Sequence, residues 1–80
     1  MRLPRDLSGV DLAKALGRVG YRVVRQTGSH LRLTRDGSTQ HHITIPAHDP
    51  LKIGTLAAIL SDVTDHLQLD RDKLIERLFG

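Results

Sequence analysis

The chain has no cysteine, which excludes disulfides, thiolate nucleophiles, cysteine-based zinc sites and iron–sulfur clusters, and fits a reducing cytosol. Aromatic rings are almost as scarce: there is no tryptophan, and Tyr21 and Phe79 are the only Phe or Tyr residues. Recognition of nucleic acid by stacking bases on Phe or Tyr platforms therefore has nothing to work with, and any such contact must run through backbone and shape. No apolar run approaches the roughly 18 residues of a membrane span, and the start Met1-Arg2-Leu3-Pro4-Arg5-Asp6 lacks the apolar stretch of a signal peptide. A soluble, cytoplasmic protein with no membrane partner is expected. Eighty residues do not divide a core in two, so residues 1–80 are expected to form a single domain. With 39% apolar and 26% charged side chains, that domain should fold rather than stay disordered.

What the chain does hold is arginine, unevenly placed. Lysine and arginine number 12 against 9 aspartates and glutamates, a net charge of +3. Residues 1–52 carry nine basic and four acidic side chains (+5), and residues 53–80 carry three and five (−2). Nine of the 12 basic residues are arginine, whose planar fork suits phosphate. An anionic partner for the first half is one reading, and a merely solvated basic face is the other.

Ser8 reads as the N-cap of a first helix, with Asp11 three residues on, Leu12, Ala13, Leu16 and Val19 at helical spacing, and Gly20 as its stop. Gly17 within it marks a close backbone approach or is simply tolerated. Three segments of alternating polarity follow at 21–26, 30–35 and 40–45, separated by Thr27-Gly28-Ser29 and Asp36-Gly37-Ser38-Thr39, the pattern of an antiparallel meander. Leu31 and Leu33 must share the buried face with Ile43 and Ile45. Leu31 therefore lies opposite Ile43 or, slipped by two, opposite Ile45, because an odd slip would set Arg32 or His42 against a leucine. Either register puts His30, Arg32, Thr34, His42 and Thr44 on the wetter face. After a loop at 46–50, a second helix runs from about Ile53 with Leu56, Ala57, Leu60 and Val63 on one side, its end blurred around His66. Asp70 caps a last helix whose apolar face is Leu74, Ile75 and Leu78. The expected fold is α+β in the order α-β-β-β-α-α, a three-stranded antiparallel sheet packed on helices with its other face partly open.

The most pointed local feature is Gly28-Ser29-His30, where glycine allows a tight turn just before an outward-facing imidazole, the side chain best suited to move protons at neutral pH. Arg25 and Arg32 flank it and Gln26 adds an amide; a plain surface histidine beside a turn is the competing reading. His41 and His42 are neighbours on a strand and point to opposite faces, so they do not share an ion. With no cysteine and no His-x-x-x-His pair, no metal site is expected. His41 is expected partly buried at a strand end, and His66 near a helix C-terminus, where a cation is favoured. Lys52-Ile53-Gly54-Thr55 opens the second helix, where unpaired backbone N–H groups, an ammonium and a hydroxyl converge on a potential phosphate site, unless Thr55 merely caps the helix. There is no Walker A loop, and Ser29 beside His30 comes with no sign of an oxyanion hole or acyl pocket.

Taken in order, several stretches together resemble the HicA family of bacterial toxins, small messenger-RNA interferases encoded beside a HicB antitoxin. They are Ser8-Gly9, Gly20-Tyr21, Arg25-Gln26-Thr27-Gly28-Ser29-His30, Ile43-Thr44-Ile45-Pro46-Ala47-His48, and Leu51-Lys52-Ile53-Gly54-Thr55-Leu56 continuing to Ile59-Leu60. The resemblance covers nearly the whole chain and implies a fold like a double-stranded-RNA-binding domain, with the histidine of the Gly-Ser-His turn, here His30, as the catalytic residue. It also implies cleavage of messenger RNA without a metal or small-molecule cofactor, and a HicB-like antitoxin as protein partner.

On that basis His30 would act as general base on the ribose 2′-OH, leaving a 2′,3′-cyclic phosphate and a free 5′-OH. Arg25 and Arg32 would hold the phosphate, and Gln26, Gly28, Ser29, Lys52, Gly54 and Thr55 would complete the RNA-binding set. His48, His42 or a water would serve the second proton transfer. Thr27, Ala57 and Ala58 stand where the family often has basic or polar residues, and Ile53 where lysine or proline is common. These departures point to weaker RNA binding, or to a more apolar antitoxin contact. Two rival readings are a noncatalytic RNA-binding module of the same fold, using the first helix, the 27–29 loop and the start of the second helix, and a protein-interaction domain without salt-dependent RNA affinity.

Overall fold

The structure is a computed structural model describing residues 3–80. Ser8 caps the first helix as expected: its hydroxyl oxygen accepts from the Asp11 amide at 3.0 Å, and α1 runs Gly9–Leu16. The stop at Gly20 arrives through a tighter 3-10 turn, Gly17–Val19, which Gly20 closes in the left-handed region at φ 97°. Strands β1 (Tyr21–Thr27), β2 (His30–Arg35) and β3 (His41–Pro46) form one antiparallel sheet in the order β1-β2-β3. Then come α2 (Ile53–Leu67) and α3 (Arg71–Phe79), the latter capped by Asp70, whose carboxylate accepts from the Lys73 amide at 2.8 Å. The fold is therefore α+β in the expected order α-β-β-β-α-α. No helix among the described residues is long and apolar enough to cross a membrane.

Helices α1 and α2 lie on the sheet, and α3 packs against both of them. Leu12 and Leu16 of α1, Leu33 and Ile45 of the sheet, Leu60 and Val63 of α2, and Leu74 and Leu78 of α3 are sealed from water. Each such side chain contributes about 1.5–3 kcal/mol by burial. Of the two registers the sequence allows, the sheet takes the slipped one, with Leu31 opposite Ile45 and Leu33 opposite Ile43, leaving a loop at 36–40.

Strand β1 departs from simple alternation. Its pairing with β2 shifts between Val23 and Arg25, so Val24 is the extra residue of a bulge. Thr34 is the other departure, because it lies on the outer face yet is only 3% exposed. It sits between Arg22 and His42 on the flanking strands, and its hydroxyl is hydrogen-bonded to His42 Nδ1 at 2.8 Å, which satisfies the buried oxygen.

At the Arg35 end of β2, side chains lock α2 to the sheet. The Tyr21 hydroxyl lies 2.5 Å from His41 Nδ1, and His41 Nε2 lies 3.2 Å from the Asp62 carboxylate. Both bonds form together when Nε2 carries the proton, the phenol donates to Nδ1 and Nε2–H donates to Asp62. His66 stacks on His41 with ring centroids 4.2 Å apart and planes 12° from parallel. The expected positions of both histidines hold: His41 is partly buried at a strand end and His66 is in the last turn of α2. The charge expected of His66 is disfavoured, however. Desolvation, with the neighbouring His41 and Arg35, holds its imidazole below the usual range, outweighing Asp62.

Two glycines of the first helical stretch behave oppositely. The Gly9 amide donates to the His48 carbonyl at 2.9 Å, and a Cβ on Gly9 would fall 2.0 Å from the Pro46 carbonyl oxygen. Helix α1 is thus pressed onto the loop after β3, an approach only glycine allows. Gly17, where a close approach was one reading, has nothing within 4 Å of a would-be Cβ and an ordinary helical φ of −58°. It is simply tolerated.

These contacts set two expectations for stability. Gly9→Ala meets rigid backbone and should destabilise by about 2–3 kcal/mol, whereas Gly17→Ala should stabilise by about 0.5–1 kcal/mol; urea midpoints of the two variants check both signs. For pH, His66 is depressed in the fold, so its contribution is present above roughly pH 6.5, the unfolded value, and is lost as pH falls through the lower folded one. Tyr21 is pushed up to about 12, chiefly by burial, so its contribution is full below roughly pH 10 and fades as pH rises toward the folded value. Urea midpoints across pH should therefore decline at both ends, with the acid slope shallower in His66→Asn and the alkaline slope shallower in Tyr21→Phe.

Candidate nucleic-acid interface

Burying Leu31, Leu33, Ile43 and Ile45 under the helices turns the alternate residues of each strand outward, and cross-strand pairing sorts them into rows. The first row is Thr27, His30 and Pro46; the second is Arg25, Arg32 and Thr44; the third is Arg22, Thr34 and His42. Successive rows on one face are about 7 Å apart. The bulge at Val24 is what brings Arg25 into this array, since unbroken alternation after Val23 would have turned it toward the helices. His30, Arg25, Arg32 and Thr44 are all exposed.

The charges of the face are not equivalent. Arg22 is paired with Asp36, which also accepts from Gln40 Nε2 at 2.8 Å. Hydrogen bonds from Gln40 and Arg22 hold the Asp36 carboxyl below the usual carboxylate range, so it remains an anion beside Arg22. Among the described residues Arg25 and Arg32 have no acidic partner, and they occupy the row next to that of His30.

The turn that presents His30 is held from below. Gly28 occupies the first position of a two-residue hairpin loop at φ 56°, where such turns favour glycine. The Ser29 carbonyl accepts from the Ala47 amide at 2.6 Å, tying the hairpin tip to the loop after β3. That loop is bound in turn to α1 through Gly9 and His48. His30 therefore stands on a hairpin braced by two other segments.

The remaining sequence-derived candidates divide. Gln26 pairs with Leu31 and so belongs to the opposite face from His30, and its amide donates to the Gly28 carbonyl at 3.3 Å, bracing the turn. Lys52 is the N-cap of α2 and makes no side-chain capping bond; Thr55 is the third residue of the helix and does not cap it. The first-turn amides of Ile53, Gly54 and Thr55 thus lack a side-chain cap. Lys52 borders a hollow against the 3–7 segment, and no hydrogen bond among the described residues joins Lys52, Gly54 or Thr55 to His30. His42 stands two rows from His30, about 13 Å away, and is bonded to Thr34. His48 is exposed two residues beyond Pro46, the cross-strand neighbour of His30.

Two parts of this arrangement escape sequence reading. The adjacent Val23 and Val24 were the only sign of the bulge, and nothing in Ser8-Gly9 beyond a helix start signalled the Gly9 contact. His41 and His42 do face opposite ways, one bonded to Tyr21 beneath the sheet and the other to Thr34 on top.

No curated protein and no solved structure matches the chain significantly. The sequence model of the family described as HicA toxin of bacterial toxin-antitoxin matches residues 9–64, which takes in α1, the whole sheet with the His30 turn, and most of α2. Covering more than half of its length, that match shows that the chain belongs to the HicA toxin family.

Proposed function

We propose that this toxin is a messenger-RNA interferase, an endoribonuclease whose catalytic group is His30. The observation that carries the reading is the exposed imidazole at the head of a sheet face whose next row holds two unpaired arginines. RNA runs along this face with one phosphate at Arg25 and Arg32. His30 accepts the proton of the 2′-OH, the oxygen attacks the adjacent phosphorus, and the bond to the 5′ oxygen breaks as that oxygen is protonated. The products are a 2′,3′-cyclic phosphate and a 5′-OH, and no metal or cofactor takes part. The arginines stabilise the charge that develops on the phosphoryl oxygens. His48, at the same end of the sheet as His30, or His42, one row beyond the two arginines with its Nδ1 bonded to Thr34, serves the second proton transfer. Lys52 and the first-turn amides of α2 position a neighbouring part of the strand. A HicB-like antitoxin neutralises the toxin by covering His30 and the basic face.

His30→Ala should lower cleavage of labelled messenger RNA by about 10²- to 10⁴-fold while leaving the circular-dichroism spectrum unchanged, because the removed ring is exposed. Arg25→Ala with Arg32→Ala should weaken RNA binding and reduce its salt dependence. A His30→Ala protein that still cuts at the wild-type rate overturns the assignment. Wild-type protein that shifts RNA without cutting it supports the noncatalytic binding module instead, and products ending in 3′-OH exclude the cyclising mechanism.

A further inference from the structure

Away from the His30 face, the 3–7 segment, the start of α2 and the start of α3 enclose an open hollow of about 660 Å³. Leu3, Pro4, Pro50 and Ile53 line it together with the buried Leu7, Leu51 and Leu56, and the Leu51 amide donates to the Leu7 carbonyl at 2.8 Å. Ile53 is the most exposed large apolar side chain of the described residues, at 86%, well above the next, Val23 at 49%. At the first position of α2 it contributes nothing to the core, and polar residues would serve a helix start better. Among the described residues that line it, Arg5, Lys52 and Arg71 are cationic and Asp6 is the one carboxylate. A bare phosphate chain would leave the apolar floor wet, so the site suits a polypeptide that brings carboxylates to the rim and an apolar side chain to the centre.

We propose that this hollow is the anchoring site for an acidic segment of the cognate antitoxin, with an apolar side chain of that segment seated on Ile53 and Leu56 and its carboxylates on Arg5 and Arg71. The proposal rests on membership of a toxin–antitoxin family and on the charge of the rim. The hollow adjoins the loop that holds the His30 hairpin: Pro50, Leu51 and Lys52 line it two to four residues beyond His48, whose carbonyl binds Gly9, and Ala47 before it binds Ser29 through its amide. A partner anchored here reaches the His30 edge without depending on the RNA-contacting arginines for its grip.

The test uses the full chain and the antitoxin encoded beside its gene. Ile53→Glu is safe for folding, because the side chain is exposed and a carboxylate is favoured in the first turn of a helix. Titration calorimetry should show antitoxin affinity lowered about 10- to 100-fold by Ile53→Glu, and by Arg71→Glu to a similar extent with a shallower dependence on salt. RNA cleavage without antitoxin should be unchanged in Arg71→Glu, and more antitoxin should be needed to stop it. Antitoxin affinity within twofold of wild type in both variants overturns the proposal. So does a wild-type chain that is dimeric in light scattering and becomes monomeric with Ile53→Glu, because the hollow is then a contact between two copies. Absence of cleavage in the wild type, with antitoxin binding lost in Ile53→Glu, counts against the His30 mechanism and leaves the anchoring site standing.

Discussion

The pairing of Leu31 and Leu33 with Ile45 and Ile43 is the constraint on which the rest of the molecule depends. Side chains alternate along a strand with a period of two, so burying these four under α1 and α2 leaves His30, Arg32 and Thr44 no orientation but outward. A slip by one residue would place Arg32 against the leucines of α1 at a desolvation penalty of several kcal/mol, far more than any hairpin preference could offset. The face that bears His30 is in this sense the complement of the core. Its composition follows from where the leucines and isoleucines stand, and the bulge at Val24 is the single local adjustment that recruits Arg25 to it.

The two ends of the sheet are built for different purposes. At the end where β1 begins, Tyr21, His41, Asp62 and His66 join three secondary-structure elements through short polar contacts and ring stacking, and the Arg35 guanidinium donates to the Val19 carbonyl at 2.7 Å. Ionisable groups there are spent on cohesion, with the neutral forms of Tyr21 and His66 favoured by burial. At the hairpin end the backbone supplies the cohesion, through Ser29 with Ala47 and Gly9 with His48. Side chains are thereby released, and His30, His48 and Arg32 remain exposed. Backbone ties hold the hairpin here without occupying these side chains.

Most of the fold was legible because its signals are local and redundant. Ser8 and Asp70 are caps with the right partners, the apolar spacings of α1, α2 and α3 are helical, and the alternation in β2 and β3 admits only two registers. What was not legible depends on contacts between distant segments. Whether Leu31 meets Ile43 or Ile45 is decided by the 36–40 loop and by how Pro46 reaches His30, neither of which has a marker in composition. The bulge shows only as two adjacent valines, a pattern equally at home in a regular strand. Gly9 looked like an ordinary first residue of a helix, because the carbonyl it accommodates belongs to Pro46, far along the chain. Within the candidate site, His30, Arg25 and Arg32 were singled out from their spacing around Gly28, and the structure sets them on one face. Alternation would put Gln26 on the outer face and the bulge reverses it, while Thr34 keeps its expected face but is covered, because alternation reports which side a residue is on and not what lies over it.

The charge count of the first half overstates its open cationic surface, and the structure shows how the surplus is used. Arg35 is turned inward to Val19, and Arg22 is neutralised by Asp36, leaving Arg25 and Arg32 as the free guanidinium pair on the sheet face. Arg5, Lys52 and Arg71 collect around an apolar hollow instead. Two cationic surfaces of different character result: one polar, flat and headed by an imidazole, the other concave with an apolar floor. A phosphate backbone carries charge but little apolar surface and is accommodated by the first; a polypeptide with carboxylates around an apolar side chain matches the second. What surrounds each cation, rather than the charge itself, is what differs between the two surfaces, since a cation attracts either kind of anion.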